Sequence, residues 1–385
     1  MIREKVQKSI LILAGEASGD IHGGSLVREL RKRRPGLRFF GIGGDRLEGE
    51  GVEIIHNVRE MSFLGFLEVV KHLPFVRRVF REMVALLEER RPSLVVLIDY
   101  PGFNLRFARA TKRLGFPVLY YISPQVWAWG RRRIKKIVRR VDRMIVIFPF
   151  EEDLYRKEGM EVRFVGHPLN DVVSISLSKG AFFEELGLDP ARPTVGLLPG
   201  SRVQEVRRLL PGMIKACHLL RGKIPGLQSI LGLAPTLSDG IYTPFLKEEK
   251  SLCPVRDRTY DVMAHTDVVM VASGTATLET AILGTPMVIL YRMARLSFLL
   301  GRILVQLKHV GLVNIVAGRK IVPELLQGKA TAERIAEEVF TLFSDEELKK
   351  EVKRDLEEVS RSLGKRGASE RAAEVVEEFM DGNAL

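Results

Sequence analysis

Residues 94–104 read LVVLIDYPGFN, and in this stretch a fully apolar run ends at a carboxylate. The run Leu94–Ile98 contains only leucine, valine and isoleucine, which is typical of a strand buried on both faces of a parallel sheet. Asp99 follows at once, and Tyr100-Pro101-Gly102 predicts a turn, with Asn104 as a cap for the helix behind it. The stretch therefore indicates an α/β fold and leaves open what the carboxylate does.

Apolar runs of the same kind recur along the chain, with helical stretches between them. They cover 10–13, 39–42, 94–98, 118–122, 144–147 and 162–165, and then 194–198, 229–233, 268–271 and 287–290. The alternation lapses over 172–179 and then restarts, which predicts a domain boundary. We therefore expect two Rossmann-like domains that face a cleft, one over 1–171 and one over 172–345.

From Thr331 onward the sequence predicts helices only. Ser344 and Asp345 are placed to cap the second of these helices, Gly364 to end it, and 368–380 forms a last amphipathic helix. We expect the C-terminal helices of 346–385 to pack back on the N-terminal domain or on a partner chain.

The charge balance narrows the choice of partners. The 385 residues carry a net charge of +12 with a pI near 9.7, so we expect something anionic: nucleic acid, a membrane surface or a phosphorylated substrate. No RNA-recognition signature combining aromatic and basic residues occurs, and we expect no nucleic acid. Cys217 and Cys253 stand far apart, which favours a reducing cytoplasm over a disulfide framework or zinc ribbon. The first apolar run is too short for a signal peptide or a spanning helix.

Ligands of open α/β sheets bind beyond the carboxyl ends of the strands, so the loops there carry the candidate site residues. The stretch GEASGD at 15–20 lacks the glycine spacing of dinucleotide and phosphate-loop motifs. Glu16 and Ser18 are candidate ligand contacts, and a plain turn is the alternative. In the loop 123–129, Gln125 is a further candidate contact for the acceptor or the cleft. The loop also contains both tryptophans, which either stack on a sugar face or pack a domain edge.

Two loops of the second domain favour an anionic ligand. Gly200 lets backbone amides approach it, Ser201 caps a helix or donates to an oxyanion, and Arg202 adds a forked cation suited to phosphate. In the second loop, Ser273-Gly274-Thr275 offers amides and hydroxyls, and Glu279 lies one helical turn further on, where it can accept hydrogen bonds from ribose hydroxyls. An ordinary capped helix is the alternative in both places.

These stretches together resemble the lipid-A-disaccharide synthases, a family of inverting glycosyltransferases with the two-domain GT-B fold. The matching segments are GEASGD, FFGIGG, MSFLGFLEVV, LIDYPGFN, YYISPQVWAWG, FPFEEDLY, VGHPL, LLPGSR, ASGTATLE, GLVNIVAGR and VPELLQ, in order from Gly15 to Gln327. One departure is Leu312-Val313-Asn314, where the family has Leu-Pro-Asn.

The resemblance implies transfer of 2,3-diacylglucosamine from its UDP derivative to the 6-hydroxyl of 2,3-diacylglucosamine 1-phosphate. The product is a β-1,6-linked disaccharide 1-phosphate, and UDP leaves. Asp99 is the expected general base, because burial at a strand end raises its proton affinity, and a simple turn former is the alternative. Arg202 becomes the diphosphate clamp, and Asn314, with Arg319 and Glu324, is expected near the donor sugar.

Neither a cofactor nor a protein-held metal is expected. The seven histidines show no ligand spacing, and the resemblance makes the UDP-sugar a substrate. It also allows a homodimer that exchanges its C-terminal parts.

Acylated substrates imply a contact with the inner face of the cytoplasmic membrane. The expected contact residues lie in one apolar segment: Phe63, Leu64, Phe66, Leu67 and Val70. Lys71, Arg77 and Arg78 would face anionic headgroups, and a buried helix pair is the alternative. The basic run 131–140 fits the acceptor phosphate, the membrane or a solvated helix face.

Two other classes of protein fit part of the pattern. One is another GT-B enzyme acting on UDP-N-acetylglucosamine, such as a cell-wall transferase or an epimerase. The other is a basic membrane-surface protein that only binds nucleotide.

Overall fold

Two parallel sheets organise the part of the chain that the computed structural model describes, residues 8–61, 73–129, 133–293 and 308–382. One compact unit combines Met1–Asp171 with Leu363–Leu385, and the other consists of Val172–Ser362. The first change of unit falls at the position where the sequence predicts a boundary.

The first unit is built on seven described strands. They are β1 Ser9–Ala14, β2 Arg38–Gly43, β3 Glu53–Asn57, β4 Leu94–Ile98, β5 Val118–Tyr121, β6 Arg143–Val146 and β7 Glu161–Phe164. Their order is β3-β2-β1-β4-β5-β6-β7, and all neighbours pair in parallel. The helices between them are α1 Ala17–Arg33, α2 Asp45–Gly49, α3 Val58–Met61, α4 Leu73–Arg90, α5 Pro101–Arg113, α6 Val126–Trp129, α7 Ile134–Val138, α8 Pro149–Arg156 and α9 Leu169–Val172.

The second unit has six described strands. They are β8 Thr194–Leu198, β9 Gln228–Leu233, β10 Leu252–Arg256, β11 Val268–Ala272, β12 Met287–Tyr291 and β13 Glu324–Leu326, in the parallel order β10-β9-β8-β11-β12-β13. Its helices are α10 Lys179–Glu185, α11 Val203–Arg221, α12 Thr243–Glu248, α13 Thr259–His265, α14 Ala276–Ile282, α15 Leu312–Ala317, α16 Ala332–Ser344 and α17 Glu346–Ser362, with short 3₁₀ turns at Asp239–Ile241 and Gln327–Lys329. The last helix, α18 Ala368–Gly382, returns to the first unit.

Strand register brings the candidate loops together within each unit. Ala14 pairs with Ile98 across β1 and β4, so the loops after these two strands leave the sheet side by side. In the second unit Leu198 pairs with Val271 across β8 and β11, which does the same for the loops that follow them. The carboxyl edge of each sheet therefore gathers the loops singled out in the sequence.

All ten predicted strands are present, and the described residues contain three further strands that the apolar runs do not predict. β3 carries polar residues and is only partly buried, β10 contains Pro254, and β13 has just three residues. β3, β10 and β13 are each the outermost described strand at an edge of a sheet. Edge strands need less continuous apolar sequence than central ones, so an apolar-run criterion overlooks them.

The C-terminal helices do not stay together as one segment. α16 and α17 pack within the second unit, whereas α18 packs on α1 in the first. The expected cap at Ser344 is wrong, because that residue lies in the last turn of α16 and donates to the carbonyl of Phe340. Asp345 does cap the next helix, accepting from the Leu348 N–H at 2.9 Å.

Candidate functional site

Asp99 leaves the end of β4 in an unusual backbone conformation. Both Asp99 and Tyr100 have positive φ angles, of 45° and 47°, although neither is glycine. Tyr100 rather than Asn104 is the N-cap of α5, so the predicted cap role of Asn104 is wrong. Asn104 lies in the first turn and directs its amide back at the strand end.

The environment of Asp99 favours its protonated form. Burial raises the pKa of its carboxyl to about 6, and the negative charge of Glu16 adds to that rise. Glu16 is the exposed N-cap of α1 in the neighbouring loop. A carboxylate with such a pKa is still largely ionised at neutral pH and is more basic than an ordinary aspartate, as a general base requires.

The β1–α1 loop lies directly under the ring of Tyr100. A Cβ on Gly15 would come within 2.1 Å of the Tyr100 Cδ1, so only glycine fits here. Ser18 is exposed on the first turn of α1. Asp20 is buried and accepts from the N–H groups of Gly44, Arg46 and Leu47 at 2.7–3.1 Å, so it holds the start of α2.

The aromatic loop after β5 is packed against the protein. The Trp127 indole donates to Glu151 at 3.1 Å and stacks edge-on against Phe148 and Phe150. Burial raises the pKa of Glu151 to about 8. Gln125 is exposed beside this cluster, and the side chain of Trp129 lies outside what the structure describes. For Trp127 the packed-edge alternative holds.

A cavity of about 530 Å³ opens at the carboxyl edge of the second sheet. All of the residues predicted to bind UDP or the donor, except Asn314, line this cavity: Gly200, Ser201, Arg202, Ser273, Gly274, Thr275 and Glu279. The volume and the clustering of amides, hydroxyls and a cation suit a polar anionic ligand.

The loop Gly200-Ser201-Arg202 already binds a negatively charged group of the protein itself, the Glu205 carboxylate. The Glu205 carboxylate accepts from the N–H groups of Ser201 and Arg202 at 3.1 and 3.2 Å and pairs with the Arg202 guanidinium at 2.9 Å. Gly200 has φ +108°, and a Cβ there would lie 2.3 Å from the same carboxylate. The donors that would bind a phosphate are thus formed and aimed at one negatively charged group.

The opposite wall of the cavity is a hydrogen-bonded turn. The Ser273 hydroxyl donates a hydrogen bond to the carbonyl of Val310 at 3.0 Å. Thr275, by contrast, is exposed. Glu279 hydrogen-bonds Tyr260, and burial raises the pKa of this carboxyl. The Glu279–Tyr260 pair therefore places an acceptor beside a phenolic hydroxyl on the cavity lining.

Asn314 is not among the residues that line the cavity, and its expected contact with the donor stays a prediction. Its side chain is fully buried. Its Nδ2 donates to Val322 and Glu324 at 3.0 and 2.8 Å, and its Oδ1 accepts from the N–H groups of Ile321 and Val322. Asn314 fixes a loop. Glu324 accepts in turn from the N–H groups of Val310 and Gly311, and Arg319 pairs with Asp355 on α17.

One part of the cavity was missed in the sequence. The segment after β10 supplies Asp257, Arg258, Thr259, Tyr260 and Asp261. The sequence gives little signal for this segment, because the strand before it, β10, contains Pro254 and no continuous apolar run. The positive φ of Asp257, 59°, has no signature in the sequence comparable to a glycine.

The predicted membrane contacts Phe63, Leu64, Phe66, Leu67 and Val70 lie outside the described residues, as do Lys71, Arg131 and Arg132. Arg77 and Arg78 are described, on α4. No helix in the described ranges is long and apolar enough to cross a bilayer. The described residues also contain no group of three or more His, Cys, Asp or Glu side chains arranged to hold a metal ion.

The comparisons with known proteins cover nearly the whole chain. The model of the family described as lipid-A-disaccharide synthetase matches residues 10–379. The lipid-A-disaccharide synthase of Geobacter metallireducens is 46% identical over 374 residues, 97% of each chain. That of Syntrophus aciditrophicus is 47% identical over 372 residues, covering 95% of this chain and 96% of the relative.

Solved structures show the same fold at low sequence identity. The calicheamicin glycosyltransferase CalG4 superposes with a TM-score of 0.65 at 16% identity, over 98% of this chain and all of its own. A UDP-GlcNAc 2-epimerase from Neisseria meningitidis, bound to UDP-GlcNAc, gives 0.60 at 12% identity, over 97% of this chain and 100% of the other. Fold, sequence and family model agree, and the chain belongs to the lipid-A-disaccharide synthase family of glycosyltransferases, with the GT-B fold.

Proposed function

We propose that the protein transfers 2,3-diacylglucosamine from its UDP derivative to the 6-hydroxyl of 2,3-diacylglucosamine 1-phosphate. The product is the β-1,6-linked disaccharide 1-phosphate, with inversion at the anomeric carbon and release of UDP. Family membership supports the overall reaction. The observation that carries the mechanism is the Asp99 carboxyl, whose burial at a strand end raises its pKa to about 6.

In the proposed step, Asp99 takes the proton from the acceptor 6-hydroxyl while that oxygen attacks the anomeric carbon. The new carbon–oxygen bond forms as the bond to the diphosphate breaks, and the electron pair leaves with UDP. Arg202 and the amides of its loop stabilise the growing negative charge. Glu279, which lies in the same cavity, accepts from the ribose hydroxyls. We propose no cofactor and no metal for this step.

The acylated substrates set the proposed location. We place the enzyme in the cytoplasm, on the inner face of the cytoplasmic membrane, with its apolar segment around Phe66 in contact with lipid. The net charge of +12 supports attraction to anionic headgroups. A homodimer is compatible with this arrangement.

The test is UDP release from purified donor and acceptor. Asp99→Asn keeps the size of the side chain and should lower turnover about 10³-fold, while UDP binding stays within about two-fold of the parent. Turnover close to the parent value would end the assignment of Asp99 as base. Conversion of UDP-N-acetylglucosamine without any acceptor would instead indicate an epimerase, and UDP binding without turnover would indicate a nucleotide-binding protein.

A further inference from the structure

We propose that Tyr120 and Asn104 are positioning residues that hold Asp99 in its catalytic direction. The inference rests on the proposed role of Asp99 as general base. It starts from the backbone of the strand end, where two successive residues other than glycine have positive φ angles.

Such a conformation does not persist by itself. Side chains with a Cβ disfavour the left-handed region, and tyrosine has none of the local hydrogen bonding that makes it tolerable for aspartate. Asp99 and Tyr100 adopt it in sequence, with φ of 45° and 47°. The surroundings must therefore supply the interactions that keep the chain there.

Two buried side chains supply them, and both act on one atom. The carbonyl oxygen of Asp99 accepts from the Tyr120 hydroxyl at 2.5 Å and from the Asn104 Nδ2 at 2.8 Å. Tyr120 and Asn104 are both fully buried. Because both donors come from buried side chains, the loss of one leaves the carbonyl without a preformed hydrogen-bond donor or lets the backbone turn away.

The two donors come from different elements and link the strand ends. Tyr120 lies on β5, opposite Leu97 in register. Asn104, on α5, also lies within 3.1 Å of the carbonyl of Ile98 and 3.3 Å of that of Leu13. The ends of β1 and β4 are thus tied to the carbonyl of Asp99 by a single amide.

The kink fixes where the carboxylate points. In this conformation the N–H of Tyr100, the next residue, acts on the Asp99 carboxyl and partly offsets the rise in its pKa. A backbone that relaxed to negative φ would move both the donor and the carboxylate. Tyr120 and Asn104 therefore act on the reaction through Asp99 and need no contact with substrate.

The experiment compares Tyr120→Phe with Thr111→Val in the UDP-release assay. Both changes remove one buried hydroxyl that donates to a backbone carbonyl, but the Thr111 hydroxyl donates to Phe107 within α5, away from Asp99. Tyr120→Phe should lower kcat about 10- to 100-fold with both KM values within about two-fold, since a small misplacement of a catalytic group has effects of this size. Thr111→Val should keep the parent kcat. Asn104→Asp, which loses the amide donor, should behave like Tyr120→Phe.

A double variant separates positioning from a general loss of structure. In the Asp99→Asn background, Tyr120→Phe should cause no further fall in kcat, because there is no base left to position. Parent-like kcat in folded Tyr120→Phe and Asn104→Asp would overturn the inference, and so would additive losses in the double variant. If Asp99→Asn itself turned over normally, the proposed function would fail first.

Discussion

The two strand-end loops that carry the proposed chemistry are built in opposite ways. The β4–α5 loop holds Asp99 in a left-handed backbone tied down by buried side chains. The β8–α11 loop uses Gly200 to reach its conformation, exposes Arg202, and fills its donors with the Glu205 carboxylate. A base must point in one direction, whereas an anion site must exchange one negative group for another. The β4–α5 loop is held rigidly, which suits a base. The β8–α11 loop makes contacts with Glu205 that a ligand can replace, which suits an anion site.

After the loss of the base itself in Asp99→Asn, the largest expected effect comes from a change in the neighbouring β1–α1 loop that displaces Tyr100. Gly15→Ala places a Cβ within 2.1 Å of the Tyr100 ring, so the ring and the kink behind it must move. Turnover should fall about 100-fold or more, measured as UDP release. Gly102→Ala is the matched control, because a Cβ at Gly102 meets nothing within 4 Å, and it should retain turnover. Equal activity of the two variants would argue against a rigid strand end.

The next effect concerns the second loop. Arg202→Ala removes the exposed guanidinium at the cavity. The affinity for UDP, measured by calorimetry, should fall about 10- to 100-fold, as expected for loss of a charge-assisted contact. Arg207→Ala, an exposed arginine on the same helix outside the cavity lining, removes the same charge and should bind UDP normally. Similar losses in both variants would mean that only the overall charge matters.

A smaller effect is expected on the pH dependence of the reaction, through the charge of Glu16 near Asp99 in the β4–α5 loop. A base must be ionised, so kcat/KM should fall as the pH drops through the pKa of Asp99, about 6. Glu16→Gln removes the negative charge that, after burial, raises this pKa, and the acid limb should therefore move to lower pH. Glu16→Asp keeps the charge and should leave the limb near its parent position. A limb that does not move in Glu16→Gln would contradict the coupling of the two carboxyls.

The smallest expected effect is a gain. Glu205→Gln keeps a carbonyl oxygen for the loop amides but removes the charge that competes with a diphosphate for Arg202. UDP should bind a few-fold more tightly, and the difference should shrink at high salt. Glu184→Gln, an exposed glutamate on α10, is the control for net charge. Weaker UDP binding in Glu205→Gln would show that the Glu205 carboxylate stabilises the loop and does not compete with the diphosphate for Arg202.

Much of the fold could be predicted because the central strands are continuous apolar runs. β4, for example, is Leu94–Ile98 in both the sequence pattern and the structure. Edge strands such as β10, with Pro254, depend on neighbours for pairing and give little local signal. The division of the C-terminal helices between the units depends on long-range packing, which sequence periodicity does not reveal.

The candidate site was predictable where a motif presents donors at a strand end, as in Gly200-Ser201-Arg202. It was not predictable where a polar residue makes its hydrogen bonds to other residues of the protein and stabilises the fold. Asn314 has the residue type of a ligand contact, but its four hydrogen bonds go to Ile321, Val322 and Glu324. The strain at Asp99 and Tyr100 was equally hidden, because it results from contacts with Tyr120 and Asn104 that only the folded chain brings together.

The return of α18 to α1 has a consequence for biosynthesis. The first unit needs both Met1–Asp171 and Leu363–Leu385, and Arg33 and Arg34 of the N-terminal part pair with Glu377 near the end of the chain. During translation, α1 is therefore made long before α18, the helix that packs on it. The whole second unit, Val172–Ser362, is synthesised between the two. A nascent chain released before α18 is made would therefore leave α1 without the helix that packs on it.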